Sequence, residues 1–235
     1  MAVYRRILVK LSGEALAGPA GFGLDPDAVS RIARDIAQAA QSGVEMGVVV
    51  GGGNFFRGVR ASETGLDRVS VDHMGMLATG LNAIALRDFL KAEGQAAVVQ
   101  SAIPMPPILD GFSLPRALRR LERKEVVIFA AGTGNPFFST DSAAALRAAE
   151  IGASLLAKAT KVDGVYDKDP VRFSGATRYE KISYQEVLAG NLAVMDAAAV
   201  SLCRDSNLPI VVFDLTVPGN IQRLVNGETI GTRID

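Results

Sequence analysis

Six short apolar runs, rich in β-branched residues, recur along the chain at residues 7–9, 46–50, 96–99, 126–131, 154–157 and 210–213. A strand with one wet face alternates apolar and polar side chains. A strand covered on both faces has no polar side to show, so it reads as a continuous apolar run. Helical periodicity separates the runs. Val29, Ile32, Ala33, Ile36, Ala37 and Ala40 recur at helical spacing over 27–41, and Met76, Leu77, Leu81, Ile84, Ala85 and Phe89 do so over 74–93. Residues 115–123 open with Pro115, a favoured first helical position. Strand and helix in alternation predict a three-layer α/β/α sandwich with a mainly parallel central sheet. No repeat, low-complexity tract or Pro/Gly-rich linker interrupts the pattern, so residues 1–235 are expected to form one domain. The polar stretch 161–181 carries turn signals at Asp163-Gly164, Asp169-Pro170 and Ser174-Gly175, and predicts a small hairpin over a site.

The 25 basic and 25 acidic residues cancel, which leaves no electrostatic footprint for a nucleic acid partner. Cys203 is the only cysteine. No disulfide can form within the chain, as suits a reducing cytoplasm. The apolar run 7–11 is too short for a signal peptide, and no run approaches the ~18 apolar residues of a membrane span. A soluble, cytoplasmic protein is expected.

In an open α/β sheet, ligands bind beyond the carboxyl ends of the strands. Five segments fall there. Lys10-Leu11-Ser12-Gly13-Glu14 follows the first strand and offers a lysine and close amides to a polyphosphate; an ordinary strand-end lysine and turn glycine is the plainer reading. Gly51-Gly52-Gly53 follows the second strand, where the lack of Cβ atoms lets backbone approach a ligand, and Arg57 can grip phosphate through its fork. Neither segment is a Walker A loop or a G-x-G-x-x-G fingerprint. Asp72 precedes an apolar helix, where it can cap the helix or accept from ribose hydroxyls; His73, beside it, takes no role. Residues 133–141 offer Thr133, Asn135, Ser139 and Thr140 as hydrogen-bonding groups and Phe137 and Phe138 as aromatic faces, suited to a base and ribose or to a polar turn over core. Asp141 stands in an N-cap position. Finally, Thr160 follows a strand, Tyr166 can stack on a purine, Asp169 can accept from a ribose, and Lys158 and Lys161 lie close by; a charged surface hairpin is the alternative.

Taken together, Lys10-Leu-Ser-Gly-Glu14, Gly51-Gly-Gly-Asn54-x-x-Arg57, Asp72-x-Met-Gly-Met-Leu-Ala-Thr79, Thr133-Gly-Asn-Pro-Phe-Phe138 and Ala159-Thr-Lys-Val-Asp-Gly-Val-Tyr166 closely resemble the bacterial uridylate kinase family, within the amino-acid kinase superfamily. The resemblance spans about residues 4–232, with the motifs in the family's order. It implies an amino-acid kinase-like fold and transfer of the ATP γ-phosphoryl group to UMP, giving UDP and ADP in pyrimidine nucleotide synthesis. By position, it implies that Lys10, Leu11, Ser12, Gly13, Gly53 and Arg57 contact ATP phosphates and that Thr160, Tyr166 and Asp169 hold its adenosine end. Gly52 and Asp72 would contact UMP, with Thr133, Gly134, Asn135, Pro136, Phe137, Phe138, Ser139 and Thr140 holding its uracil and ribose. The resemblance further implies Mg²⁺ brought with ATP, a homohexamer, inhibition by UTP, and activation by GTP through the loop Gly18-Pro19-Ala20-Gly21-Phe22-Gly23.

UMP presents a phosphate oxygen already ionised at neutral pH, so direct in-line transfer needs no strong base. It needs two anions positioned together and their charge offset. Lys10 and Arg57 are expected to do this, with Asp141 orienting a lysine or anchoring its loop. Two rival functions remain open at this stage. One is phosphorylation of a small carboxylate by a related kinase; the other is a nucleotide-binding storage or regulatory protein without turnover.

Overall fold

The computed structural model describes residues 2–56, 65–170, 172–173, 175–192 and 194–235. Its strands are β1 (Arg6–Leu11), β2 (Glu45–Val50), β3 (Ala97–Ser101), β4 (Asp110–Gly111), β5 (Val126–Ala130), β6 (Leu155–Thr160), β7 (Val165–Tyr166), β8 (Arg178–Tyr179), β9 (Lys181–Ile182), β10 (Ile210–Asp214) and β11 (Thr232–Ile234). The described α-helices are α1 (Pro26–Gln41), α2 (Arg68–Ala92), α3 (Leu114–Glu122), α4 (Thr140–Glu150), α5 (Tyr184–Ala189), α6 (Ala197–Asp205) and α7 (Asn220–Val225).

Each of the six apolar runs forms a strand of one nine-stranded sheet, in the order β4-β3-β5-β2-β1-β6-β10-β11-β9. All pairings in it are parallel except β10 with β11. Helices cover both faces. On one, Ile7, Val9 and Leu11 pack in a cluster with Ile32 of α1, Leu86 of α2 and Ile221 of α7. On the other, Leu8 joins Ala144 of α4, Val200 of α6 and Leu121 of α3. The period of two along β1 therefore sends Lys10 to the face of Leu8, under α4. The expected hairpin is present: β7 and β8 pair antiparallel as a separate ribbon. No described helix is long and apolar enough to cross a membrane.

Two expected helix starts are corrected. Helix α2 begins at Arg68, with Asp67 accepting from Val69 N and Ser70 N as its N-cap. Its first turn, Arg68-Val69-Ser70-Val71, alternates polar and apolar residues instead of following a helical period, so the start is hidden, and Asp72 lies inside the helix and caps nothing. Helix α4 is capped by Ser139, whose Oγ accepts from Asp141 N and Ser142 N. Asp141 is in the first turn, and its carboxylate is engaged elsewhere.

Candidate active site

The chain leaves β1 for β2 on one side and later returns to β6 on the other, so the sheet reverses direction at β1. Loops leaving neighbouring strands part at such a point and open a crevice at their carboxyl ends. Strands β1 and β6 run parallel in a register that sets Lys10 beside Lys158. Adjacent strands lie about 4.8 Å apart, so two buried ammonium groups there would repel. Asp141 resolves the conflict from the first turn of α4. Its Oδ1 lies 2.8 Å from Lys10 Nζ and its Oδ2 2.7 Å from Lys158 Nζ. Lys158 also donates to the Val194 carbonyl.

Burial works against the charge on Asp141, but the Lys10 and Lys158 ammoniums outweigh it and hold the carboxyl below the usual carboxylate range. Burial pushes Lys158 below the usual lysine range; Asp141 opposes that shift and Lys10 adds to it. A carboxylate between two cations leaves the cluster net positive, beside the N-terminal turn of α4, whose dipole also favours anions. The α4 terminus is itself anchored. Ser139 Oγ donates to Asp196, Ser142 Oγ donates to Asp196 Oδ1 at 2.8 Å, and Asp196 caps α6 by accepting from Ala199 N.

Two cavities flank the cluster. The smaller, about 130 Å³, opens over the β2 and β5 ends. Gly52, Gly53, Asp72, Thr133, Phe138, Ser139 and Thr140 all line it. Asp72 accepts from Phe137 N at 2.7 Å and pairs with Arg68 at 3.0 Å, tying the 133–140 loop to α2. Phe138 faces the cavity, whereas Phe137 stands outside its lining, 68% exposed, with the Arg68 guanidinium 5.4 Å from its ring centre. Gly134, Asn135 and Pro136 shape the turn instead: Gly134 N donates to the Ala131 carbonyl and Asn135 N to Thr133 Oγ1.

The larger cavity, about 490 Å³, lies over the β6 and β10 ends and is lined by Thr160, Tyr166, Asp169, Leu192 and Val194, among others. Thr160 is the last residue of β6 rather than beyond it, and its hydroxyl donates to the Val162 carbonyl at 2.6 Å. Tyr166 donates to Asp163. The hairpin that carries Tyr166 is pinned by Thr232, whose Oγ1 accepts from Val165 N at 2.8 Å.

The remaining expected residues sort by backbone. Leu11 is fully buried and can offer only its main chain. Gly13 admits no side chain, since a Cβ there would stand 2.5 Å from the Gly51 carbonyl oxygen. The loop Gly18–Gly23 contains a short 3₁₀ turn, Gly18–Ala20, with Gly21 left-handed after it. Phe22 is exposed and meets Phe55 edge-on, with ring centres 6.1 Å apart. Arg57 lies outside the described residues. Two residues join the site beyond those given roles from sequence: Lys158 beside Asp141, and Asp196, which anchors the start of α4. Lys158 was legible only as one of two nearby lysines, because nothing local reveals that it stands level with Lys10. No group of three or more His, Cys, Asp or Glu side chains is arranged to hold a metal ion among the described residues.

Residues 5–214 match the model of the amino acid kinase family. Among solved structures, a UMP kinase from Bacillus anthracis superposes with a TM-score of 0.96 at 38% identity, covering 99% of this chain and 96% of that one. A UMP kinase from Ureaplasma parvum gives 0.93 at 35% identity and 98% coverage of both chains. A uridylate kinase from Archaeoglobus fulgidus gives 0.74 at 29% identity over the full length of both.

Proposed function

This chain belongs to the amino acid kinase family, and we propose that within it the protein is a UMP kinase, passing the γ-phosphoryl group of ATP to UMP. The observation that carries this reading is the Lys10–Asp141–Lys158 cluster between two cavities at the sheet's reversal point. Full-length likeness to UMP kinases supports the choice of acceptor.

The larger cavity takes the adenosine of ATP, with Tyr166 against the purine and Thr160 and Asp169 near the ribose. The smaller takes UMP, with Asp72 and Thr133 at the ribose and base and Phe138 against the ring. The two phosphate ends then meet over Lys10, Lys158 and the amides of Ser12, Gly13 and the glycine triplet. Mg²⁺ enters on the phosphates of ATP, as part of that substrate, and lowers their charge. The acceptor oxygen is already ionised, so the protein's work is positioning and charge stabilisation. Lys10 and Lys158 face the transferring group, and Asp141 holds the two apart and aimed. Arg57, four residues after the triplet in sequence, is assigned to the same phosphates. UDP made this way feeds pyrimidine nucleotide synthesis. Assembly into a homohexamer, inhibition by UTP and activation by GTP at Gly18–Gly23 belong to the same proposal.

An ADP-release assay with UMP, CMP, AMP, GMP, acetylglutamate, glutamate and aspartate as acceptors tests it. Turnover is expected with UMP, and kcat/KM for the other nucleotides should fall steeply, since a site built to pair a base edge rejects one that leaves its groups unpaired. Comparable kcat/KM with CMP defeats the acceptor assignment; turnover only with a carboxylate, or none at all, defeats the reading.

A further inference from the structure

We propose that Asn54 and Asn82 are positioning residues that set the glycine loop's peptide planes, and that neither touches substrate. The inference rests on the glycine loop being a phosphate cradle. Both side chains are shut away from solvent, at 1% and 0% exposure. Their amides pair reciprocally: Asn54 Nδ2 donates to Asn82 Oδ1 at 2.9 Å, and Asn82 Nδ2 donates to Asn54 Oδ1 at 2.7 Å. The second proton of each goes to a loop carbonyl, Gly23 at 2.7 Å from Asn54 and Gly51 at 2.6 Å from Asn82. Those two carbonyls also fix which end of each amide carries the nitrogen. All four donor protons are used, so the pair has none left for a ligand.

What the pair does follows from the peptide bond. In a trans peptide the C=O and the next N–H point in opposite directions. Asn82 holds the Gly51 carbonyl toward α2, which turns Gly52 N–H away from that helix. The Gly52 carbonyl accepts from Phe55 N at 3.0 Å and Phe56 N at 3.1 Å, which fixes the next plane and with it Gly53 N–H. Among the described residues no hydrogen bond uses Gly52 N–H or Gly53 N–H. Two amides are left available beside the cavity that Gly52 and Gly53 line. Gly52 also packs so closely on α2 that a Cβ would lie 2.6 Å from the Gly75 carbonyl oxygen. Helix α2 therefore acts as a template for the loop, and Asn82 transmits its position. A buried amide pair is costly unless saturated; this one is saturated by the loop it aims.

The test uses Asn82→Asp and Asn82→Ala in the full chain, with kcat normalised to the folded fraction measured by circular dichroism. Asn82→Asp keeps the shape and the acceptor for Asn54 Nδ2 but loses both donations, to Gly51 and to Asn54 Oδ1. Its kcat per folded molecule should fall by roughly 10²-fold, the loss typical of reacting groups misplaced by about 1 Å. Its activity relative to the unaltered protein should recover as pH falls, because a protonated carboxyl regains one donor for Gly51. A merely structural role predicts fewer folded molecules, each with unaltered kcat, KM and pH profile, and that result overturns the proposal. Should both variants fail to fold, amide exchange in the unaltered protein decides. Gly52 and Gly53 should exchange freely alone and become protected with UMP and a non-hydrolysable ATP analogue; no change on adding nucleotides refutes the assignment. Protection by the ATP analogue in a protein that cannot phosphorylate UMP leaves the positioning role standing and removes the acceptor assignment instead.

Discussion

At the scale of single residues, the proposed chemistry rests on one carboxylate held between two lysines. Removing one member of a buried ion cluster leaves uncompensated charge, at a typical cost of about 3–5 kcal/mol. Asp141→Ala leaves Lys10 and Lys158 facing each other, so it should lower the urea midpoint strongly as well as the turnover. A variant with the original midpoint would show that the lysines do not depend on Asp141. The pH dependence has a definite sign on each side. The folded pKa of Asp141 is depressed. Its contribution to stability is complete above the ordinary carboxylate pKa and is lost only as pH falls through the lower folded value. Lys158 also has a depressed folded pKa, with burial as the main cause. It loses its proton, and with it the charge proposed to meet the phosphoryl group, at a lower pH than an ordinary lysine. The alkaline limb of kcat should therefore fall below the usual lysine range. Lys158→Arg keeps its charge throughout and should move that limb upward even where its lower kcat reflects an imperfect fit. A pH profile identical in the two proteins assigns the limb to another group.

At the scale of elements, the site is made where loops touch, and glycine marks the contacts. An alanine Cβ at residue 13 would stand 2.5 Å from the Gly51 carbonyl oxygen and 2.6 Å from Asn54 Oδ1. Gly13→Ala must push the two loops, proposed to face phosphate, apart. A loss of about 1–3 kcal/mol, usual for overpacking, should come with a larger proportional loss of kcat/KM; a silent Gly13→Ala would mean that the loops are not in contact in solution. These elements also show what a sequence can carry. The strands were legible because burial on both faces leaves each a continuous apolar run, with polar residues such as Lys10 and Lys158 set toward the ends. The start of α2 was not, because Val69 and Val71 in its first turn alternate with polar residues and so do not mark a helical period. The sequence leaves Asp141 open between capping its helix and orienting a lysine for a similar reason. Ser139 and Asp141 are both good capping types two residues apart, and only the lysines brought by β1 and β6 decide between them. The pairing of Lys10 with Lys158 spans 148 residues of chain in parallel register, and no local pattern encodes that register.

At the scale of the whole molecule, α2 presents two faces with different work. Inward it sends Asn82 to the glycine loop and Thr79, whose hydroxyl accepts from Ala131 N at 2.7 Å, to the loop after β5. Outward it exposes Met74, Leu77 and Leu81, at i, i+3 and i+7 on one side, with 40%, 55% and 52% of their surface free. Side chains spaced in this way form one continuous apolar stripe. A stripe of that kind is a surface suited to association. The proposed homohexamer gives it a use, since a second copy of the chain can cover it. Leu77→Asp with Leu81→Asp should then yield smaller species in sedimentation velocity. The fold should survive, because surface substitutions of this kind usually change stability by no more than about 0.5 kcal/mol. The helix proposed to meet that second copy is also the one that carries Asn82 and Thr79 to the two loops, so dissociation should lower kcat without abolishing it. A double variant that sediments as the unaltered protein does would remove α2 from the assembly. One that dissociates with full activity would separate assembly from the aim of the loops.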